Sequence, residues 1–252
     1  MESAETLRRF FLEDAGSREP RLLAEEERHA VTVLRVKAGE RILGLDGQGG
    51  IHPLVVRGSR GGRLLLERDG ETVREPTPGA HGAATERIEV AAPLPKGERA
   101  EAMLDRLTQL GFQAFRPLAC ARNQGFARES AESRRPRLER ALLEACKQSR
   151  RSWLPELHPT ARPAELRALL QGRAAVLLSP RASRTLLRWS ATLTAGPIVV
   201  IAGPEGGFDE EELESLDFAT PVVLAPHVLR IETAVEAAVS TLVQAGYERG
   251  RS

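Results

Sequence analysis

Two loops near the end of the chain carry the residue types best suited to hold a ligand. Residues 203–207 read Gly-Pro-Glu-Gly-Gly, and residues 226–234 read Pro-His-Val-Leu-Arg-Ile-Glu-Thr-Ala. Glycine has no side chain, so several glycines around a proline let the main chain come within contact distance of a flat, polar ligand. The first loop lacks both the G-x-G-x-x-G spacing and a Gly-Lys-Ser/Thr step, which argues against a dinucleotide or a triphosphate.

The segments on either side of these loops indicate how they are positioned. The apolar runs 198–202 and 222–225 precede the loops and predict buried strands of a parallel sheet. Asp209 lies three residues before Glu212, and Thr233 three before Glu236, so a capped helix is expected to begin after each loop. Open α/β sheets bind ligands at such strand ends, although two ordinary strand-to-helix turns would give the same pattern.

The pair of loops resembles the signatures of a known family, the SPOUT-class 16S ribosomal RNA uracil-N3 methyltransferases. The matching stretches are Gly203-Pro204-Glu205-Gly206-Gly207 and Val228-Leu229-Arg230-x-Glu232-Thr233, and the resemblance continues through Pro95-Lys96-Gly97-Glu98-Arg99, Gln148-Ser149 and Arg9-Phe10-Phe11. It implies an α/β protein with a small N-terminal PUA-like β-barrel and a C-terminal trefoil-knotted SPOUT domain with a mainly parallel sheet. It also implies a homodimer that binds S-adenosylmethionine in the knot and acts on 16S rRNA or the small ribosomal subunit.

The resemblance also implies roles for individual residues. Arg230 would stabilise negative charge on the uracil oxygens once the N3 proton has left, and Glu232, or with less support Glu205, would be the base. First-turn helix stabilisation and a turn hydrogen bond are the alternatives for these two carboxylates. The predicted cofactor-binding residues are Leu178, Ser179, Ala202, Gly203, Pro204, Glu205, Gly206, Gly207, Leu224, Ala225, Val228 and Leu229. The predicted RNA-binding residues are Arg9, His29, Arg35, Arg122, Arg134, Arg135 and Arg151.

Two other functions stay open at this point. One is a SPOUT methyltransferase with another RNA target, such as a ribose 2′-hydroxyl of tRNA, and the other is a non-catalytic RNA-binding protein. Several residues depart from the family pattern: Ala225 replaces a glycine, His227 an arginine and Ile231 a threonine, while Asp105, Gln109 and Lys147 replace a lysine, a glutamate and an acidic residue. The changes near the second loop bear on substrate specificity more than on the class of reaction.

Composition sets outer limits on the function. The net charge is +1, so no global field indicates a nucleic-acid partner, and the arginine-rich stretch around residues 128–151 would alone be read as a solvated helix face. The two cysteines form no C-x-x-C pair and the five histidines are scattered, which predicts neither a metal site nor a disulfide framework. No apolar run approaches the roughly 18 residues of a membrane span, so a cytoplasmic protein is expected.

The chain is predicted to form two domains. Short β-rich runs with many glycines, and one helix at 24–34, indicate a small barrel in residues 1–80, ending in a Pro-rich linker at 75–84. Strands and helices alternate over residues 81–252, which predicts a parallel sheet of about six strands. The predicted elements there are strands at 88–92, 113–118, 174–178, 198–202 and 222–225 and helices at 99–110 and 136–149.

Overall fold

The computed structural model describes residues 7–78, 87–122, 128–193 and 196–250, so most of the predicted linker lies outside the described residues. The chain divides into two compact units. The first comprises the chain up to Thr77 together with Cys146–Leu154, and the second comprises Pro78–Ala145 and the chain from Pro155 onward. The predicted boundary near residue 80 had assigned Cys146–Leu154 to the second domain.

The first unit is a five-stranded sheet with one helix. The elements are β1 (Arg8–Phe11), α1 (Ala24–Thr32), β2 (Arg41–Leu45), β3 (Gly50–Arg60), β4 (Arg63–Arg68) and β5 (Val73–Arg74). The strands follow the order β1-β2-β3-β4, with β5 paired to β3. The β1 and β2 strands are parallel and the other pairs are antiparallel. Apolar side chains from strands and helix, including Phe10, Ala30 and Leu54, form its core.

The segment Cys146–Leu154 is bonded into this first unit at several points. The Lys147 ammonium lies 2.7 Å from the carboxylate of Glu26, and both side chains are largely buried. The Ser152 N–H donates to the Glu75 carboxylate at 2.6 Å. The indole N–H of Trp153 donates to the carbonyls of Glu75 and Pro76, at 3.4 and 3.0 Å. Trp153 therefore uses its only polar side-chain group within the protein.

The second unit contains a six-stranded sheet in which every strand pair is parallel. The strands are β6 (Ile88–Ala92), β7 (Ala114–Pro117), β8 (Glu156–Leu157), β9 (Ala174–Leu178), β10 (Ile198–Ile201) and β11 (Thr220–Val222). The helices are α2 (Arg99–Leu110), α3 (Arg128–Gln148), α4 (Leu166–Leu169), α5 (Leu186–Ser190), α6 (Glu210–Ser215) and α7 (Ile231–Gly250), and a 3-10 helix spans Pro163–Glu165. The strand order is β11-β9-β10-β6-β7-β8. One face of the sheet packs against α2, α3, α5 and α7, and the other against the segments around α4 and α6.

The helix ends test the predicted caps. The box at the start of α6 is confirmed: the Asp209 carboxylate accepts from the Glu212 N–H at 2.8 Å, and Glu212 accepts from the Asp209 N–H at 3.0 Å. The predicted cap at Thr233 is wrong. The α7 helix begins at Ile231, and the Ala234 N–H donates to the Arg230 carbonyl at 2.8 Å, so Thr233 lies inside the first turn.

Two helix boundaries show where residue preferences helped and failed. Gly111 ends α2 in the left-handed conformation with φ 93°, as expected for a residue that follows a helix. The predicted start of the next helix at Pro136 is wrong. Proline favours the first helical turn, yet α3 begins at Arg128 and Pro136 lies within it.

Candidate functional site

Three strand ends meet at one edge of the second sheet. The β11, β9 and β10 strands are neighbours and run in the same direction, so the residues after Leu178, Ile201 and Val222 leave the sheet at the same edge. The Ser179 N–H donates to the Val222 carbonyl at 2.9 Å, and this bond joins the segment that follows β9 to the end of β11. The structure thus brings the three predicted cofactor-binding segments to one place.

The glycines of the first loop are required for different reasons. A side-chain Cβ on Gly203 would lie 2.9 Å from two ring carbons of Phe208, which is 8% exposed. Gly207 has φ +71°, a conformation that favours glycine, and its N–H donates to the Pro204 carbonyl at 2.8 Å. Gly206 is exposed, and a Cβ there would lie 3.4 Å from the Cβ of Arg122. Gly203 is therefore required by packing and Gly207 by backbone conformation, whereas Gly206 is exposed and neither constraint applies to it.

Main-chain groups at this edge suit S-adenosylmethionine. Among the described residues, none accepts a hydrogen bond from the N–H of Gly206, Leu224 or Ala225. Leu178 and Leu224 are half-buried and pack against the core beneath them. A flat base with a polar edge can use such free donors and such apolar side chains together. The residues present therefore fit the adenosine part of the cofactor.

Arg122 holds the first loop. Its Nη1 donates to the carbonyls of Gly206 and Phe208, at 3.1 and 3.2 Å. The neighbouring Ala121 N–H donates to the Glu212 carboxylate at 2.8 Å. The segment after β7 is thus bonded to the first loop and to the start of α6. The sequence assigned Arg122 to RNA binding, whereas in the structure its guanidinium contacts protein carbonyls.

In the second loop one arginine is exposed to solvent and one carboxylate is buried. Arg230 is exposed, and its guanidinium makes no hydrogen bond or ion pair with the described residues. Glu232 is 9% exposed, and its Oε1 accepts from Nη1 of Arg99 at 3.3 Å. This pair joins the starts of α2 and α7. The Arg230 guanidinium is therefore accessible to an external group.

The arginines of α3 are engaged with neighbouring loops. Arg134 donates to the carbonyls of Pro95 and Gly97, at 3.0 and 2.6 Å, and to the carboxylate of Glu101 at 3.0 Å. Arg135 donates to the carbonyls of residues 157 and 158, at 3.0 and 3.1 Å, and pairs with the carboxylates of residues 132 and 139. Both side chains that were expected to face RNA therefore make several contacts within the second unit.

The predicted RNA-binding residues of the first unit fall into two groups. The Arg9 guanidinium donates to the Arg150 carbonyl at 3.2 Å, and burial together with the nearby Arg150 charge lowers its pKa. Burial also lowers the pKa of Arg151. His29 and Arg35 are exposed, and their side chains have no partner among the residues that the structure describes. These two remain accessible to a ligand.

A buried charged cluster lies at the opposite, amino-terminal edge of the second sheet. Glu89 on β6 accepts from Arg116 on β7 at 2.9 Å, pairs with Arg173, and lies 3.5 Å from Nε2 of His158. Burial opposes ionisation of Glu89, but the hydrogen bond with His158 and the charges of Arg116 and Arg173 outweigh it and lower its pKa. Sequence reasoning missed this cluster, although a glutamate inside the apolar run 88–92 was its signal.

Three of the departures from the family pattern have partners in the structure, at two places. Asp105 and Gln109, one turn apart on α2, are joined by a hydrogen bond of 2.8 Å. Lys147 pairs with the buried Glu26. In both places the unusual residue is matched by a group beside it, which explains how the fold accommodates it.

No cluster of side chains suited to a metal ion occurs in the described part of the chain. Within the same residues, none of the helices has the length and apolar character needed to cross a membrane.

Comparisons with known proteins agree with this geometry. Residues 83–243 match the model of the RNA methyltransferase domain. Proteins named ribosomal RNA small subunit methyltransferase E are similar along most of the chain. The one from Mycobacterium bovis is 31% identical over 86% of this chain and 83% of its own length, and the one from Bacillus subtilis is 27% identical over 88% of each.

Solved structures show the same fold. A ribosomal RNA small subunit methyltransferase E from Neisseria gonorrhoeae, bound to S-adenosylmethionine, has a TM-score of 0.73 and 25% identity, covering 93% of this chain and 95% of its own. A Legionella pneumophila protein described as a methyltransferase, solved with the same cofactor, has a TM-score of 0.82 and 24% identity, covering 95% and 98%.

The second unit is therefore an RNA methyltransferase domain. With relatives of 31% identity that match over most of both chains, the protein belongs to the ribosomal RNA small subunit methyltransferase E family.

Proposed function

We propose that this protein transfers the methyl group of S-adenosylmethionine to N3 of a specific uridine in 16S rRNA of the small ribosomal subunit. Family membership supports the reaction class, the donor and ribosomal RNA as the substrate. The N3 position rests on the resemblance of residues 228–233 to the uracil-N3 methyltransferases. The observation that carries the proposal is that the main-chain N–H groups of Gly206, Leu224 and Ala225, which have no acceptor among the described residues, lie at the same sheet edge as the exposed Arg230.

The chemistry requires that the uridine become nucleophilic. When bound, S-adenosylmethionine supplies a methyl group already activated by its sulfonium. Uracil N3 carries a proton between two carbonyls, and its loss leaves negative charge on O2 and O4. Arg230, which is exposed and unpaired among the described residues, stabilises that charge with its planar guanidinium.

Two carboxylates can take the N3 proton. Glu232 lies two residues after Arg230 but accepts from Arg99, so it has to share or leave that bond to receive a proton. Glu205 in the first loop is exposed and has no side-chain partner among the described residues. Glu232 is kept as the base and Glu205 as the alternative. Glu232→Gln and Glu205→Gln, measured in single turnovers, distinguish them, since only the base is needed for the chemical step.

We further propose that the second unit is a trefoil-knotted SPOUT domain, that the first is a PUA-like RNA-binding barrel, and that the protein forms a homodimer. The strand order and the return of α7 across β6 and β10 support the knot. Apolar side chains that are exposed on the second unit support an association between copies. The most exposed of them are Leu187, Val228, which is 81% exposed, and Tyr247.

The experiment is a deletion strain whose 16S rRNA and tRNA are digested and read by mass spectrometry. The proposal expects one uridine of 16S rRNA to lose a methyl group on its base and to regain it when the wild-type gene is returned. A missing ribose methyl group in tRNA would instead favour the other SPOUT activity. Failure to bind S-adenosylmethionine in calorimetry, with all methyl groups in place, would point to a non-catalytic RNA-binding protein.

A further inference from the structure

The loop between β6 and α2 is held by arginines along its main chain. Arg134 donates to the carbonyls of Pro95 and Gly97, and Arg99 donates through Nε to the Lys96 carbonyl at 3.4 Å. Three successive carbonyls are thus engaged. Pro95 is buried, whereas Lys96 and Gly97 are exposed, and Gly97 has φ +62°, which sharpens the turn. The main chain at Lys96 is therefore fixed although its side chain reaches solvent.

The Lys96 ammonium makes no hydrogen bond or ion pair with any of the residues described by the structure. The guanidinium groups of Arg134 and Arg99 fix the main chain around Lys96, but they do not neutralise its side chain. The positive charge of Lys96 is therefore positioned without being paired within the described residues. Such a charge is ready for an anion that comes from outside the protein.

The position of this loop decides which anion. The β6 strand lies beside β10, and the Ala202 N–H donates to the Ala91 carbonyl at 3.0 Å, so the two strands leave the sheet side by side. Adjacent strands are about 4.8 Å apart, which puts the β6–α2 loop next to the first loop of the cofactor edge. Arg99, which holds the Lys96 carbonyl, also pairs with Glu232 at the start of α7. Lys96 thus lies beside the sheet edge at which the proposed function places the methyl donor.

We propose that Lys96 is a substrate-contact residue that binds a phosphate of the RNA beside the nucleotide being methylated, and that Arg134 is a positioning residue that holds the Lys96 loop. The proposal rests on the proposed function above. A compact ammonium on a flexible stem suits a single phosphate, which needs no forked partner. Arg134 acts here through Lys96 rather than as a phosphate ligand of its own, because its bonds go to Pro95, Gly97 and Glu101.

The test is a double-mutant cycle on RNA binding, with unmodified 16S rRNA transcribed in vitro as the probe and with the salt concentration varied. Lys96→Ala should weaken binding about 5- to 10-fold and reduce the slope of log K against log salt by roughly 0.7 to 1, the value of one phosphate contact. Arg134→Lys keeps the charge but loses the fork, and should show the same defect in part. The double variant should be no worse than Lys96→Ala alone.

Two control variants separate the loss of a phosphate contact from a general loss of positive charge. Arg162→Ala removes one positive charge from a side chain that is 72% exposed in the same unit, and should leave the slope unchanged. Lys96→Arg should keep most of the affinity. An unaltered slope in Lys96→Ala, or additive losses in the double variant, would overturn the proposal.

A second measurement separates the two possible anions. Calorimetry should show that S-adenosylmethionine binds Lys96→Ala as tightly as it binds the wild type. A loss of cofactor affinity would mean that Lys96 holds the cofactor carboxylate instead and would refute the phosphate contact. The experiment measures RNA binding directly. A protein that proved not to methylate 16S rRNA would refute the proposed function, but the effect of Lys96→Ala on RNA affinity could still be interpreted.

Discussion

Gly203→Ala should destabilise the second unit through a single contact. The added methyl group would lie 2.9 Å from two carbons of the Phe208 ring, closer than non-bonded carbons approach. Phe208 is buried beside Leu216 and Ile201 in a packed layer, so the ring has little room to move. Forcing an extra methylene-sized group into a packed core costs about 1–3 kcal/mol. For a unit of this size the melting temperature should fall by roughly 2–4 °C for each kcal/mol.

The assay is thermal unfolding of the full-length protein, followed by circular dichroism, with two companion variants. Gly206→Ala should stay within about 0.5 kcal/mol of the wild type, because its Cβ meets only the Arg122 side chain at 3.4 Å. Phe208→Leu removes the ring atoms that Gly203→Ala would strike. The double variant Gly203→Ala/Phe208→Leu should therefore be less destabilised than the two single changes added together.

Strict additivity of these two substitutions would refute the reasoning. So would a Gly203→Ala protein as stable as the wild type, since the ring would then have moved at no cost. Gly206→Val should leave the fold largely intact while abolishing cofactor binding in calorimetry, which separates the packing role of Gly203 from the ligand-facing role of Gly206.

Three further outcomes are expected. Because the fold lowers the pKa of Glu89, ionisation of this carboxyl stabilises the protein at pH values above the unfolded pKa of about 4.3, and the stabilisation is lost as the pH falls through the folded pKa. The difference in melting temperature between the wild type and Glu89→Gln should therefore shrink in acid. A difference that stays constant with pH would contradict the assignment. Burial raises the pKa of the Cys120 and Cys146 thiols to about 12, so a thiol reagent at pH 8 should react with them only when the protein unfolds. Fast labelling of the native protein would show that the two thiols are not buried. Arg230→Lys should slow single-turnover methylation by about 10² at saturating RNA with RNA affinity little changed, whereas a normal rate would make Arg230 a binding residue.

The sequence was sufficient for elements whose signals are local. The apolar runs at 88–92 and 174–178, and the helix 99–110 with Gly111 behind it, match the structure because burial and capping depend on neighbouring residues. The shared edge of the loops followed from the expectation of a parallel sheet, which the structure confirms, whereas the order of the strands was not predicted.

Contacts between residues that are far apart in the chain could not be predicted from local sequence patterns. An arginine looks the same in the sequence whether it binds phosphate or a carbonyl group, and Arg122 and Arg134 donate to carbonyls that lie 84 and 39 residues away. The grouping of Cys146–Leu154 with the first unit depends on equally long-range bonds, such as the one between Lys147 and Glu26. No local pattern marks either arrangement.

The interrupted first unit has a consequence for how the chain is made. A polypeptide emerges from the ribosome amino terminus first, at about 5–20 residues per second. The strands of this unit are complete by Arg74, but Lys147 and Trp153 follow only after some 70 further residues, or roughly 4–14 seconds of synthesis. Throughout that interval Glu26 lacks its ion pair and the carbonyls of Glu75 and Pro76 lack their indole donor. The unit translated first is thus finished only after Pro78–Ala145, the first part of the other unit, has been translated.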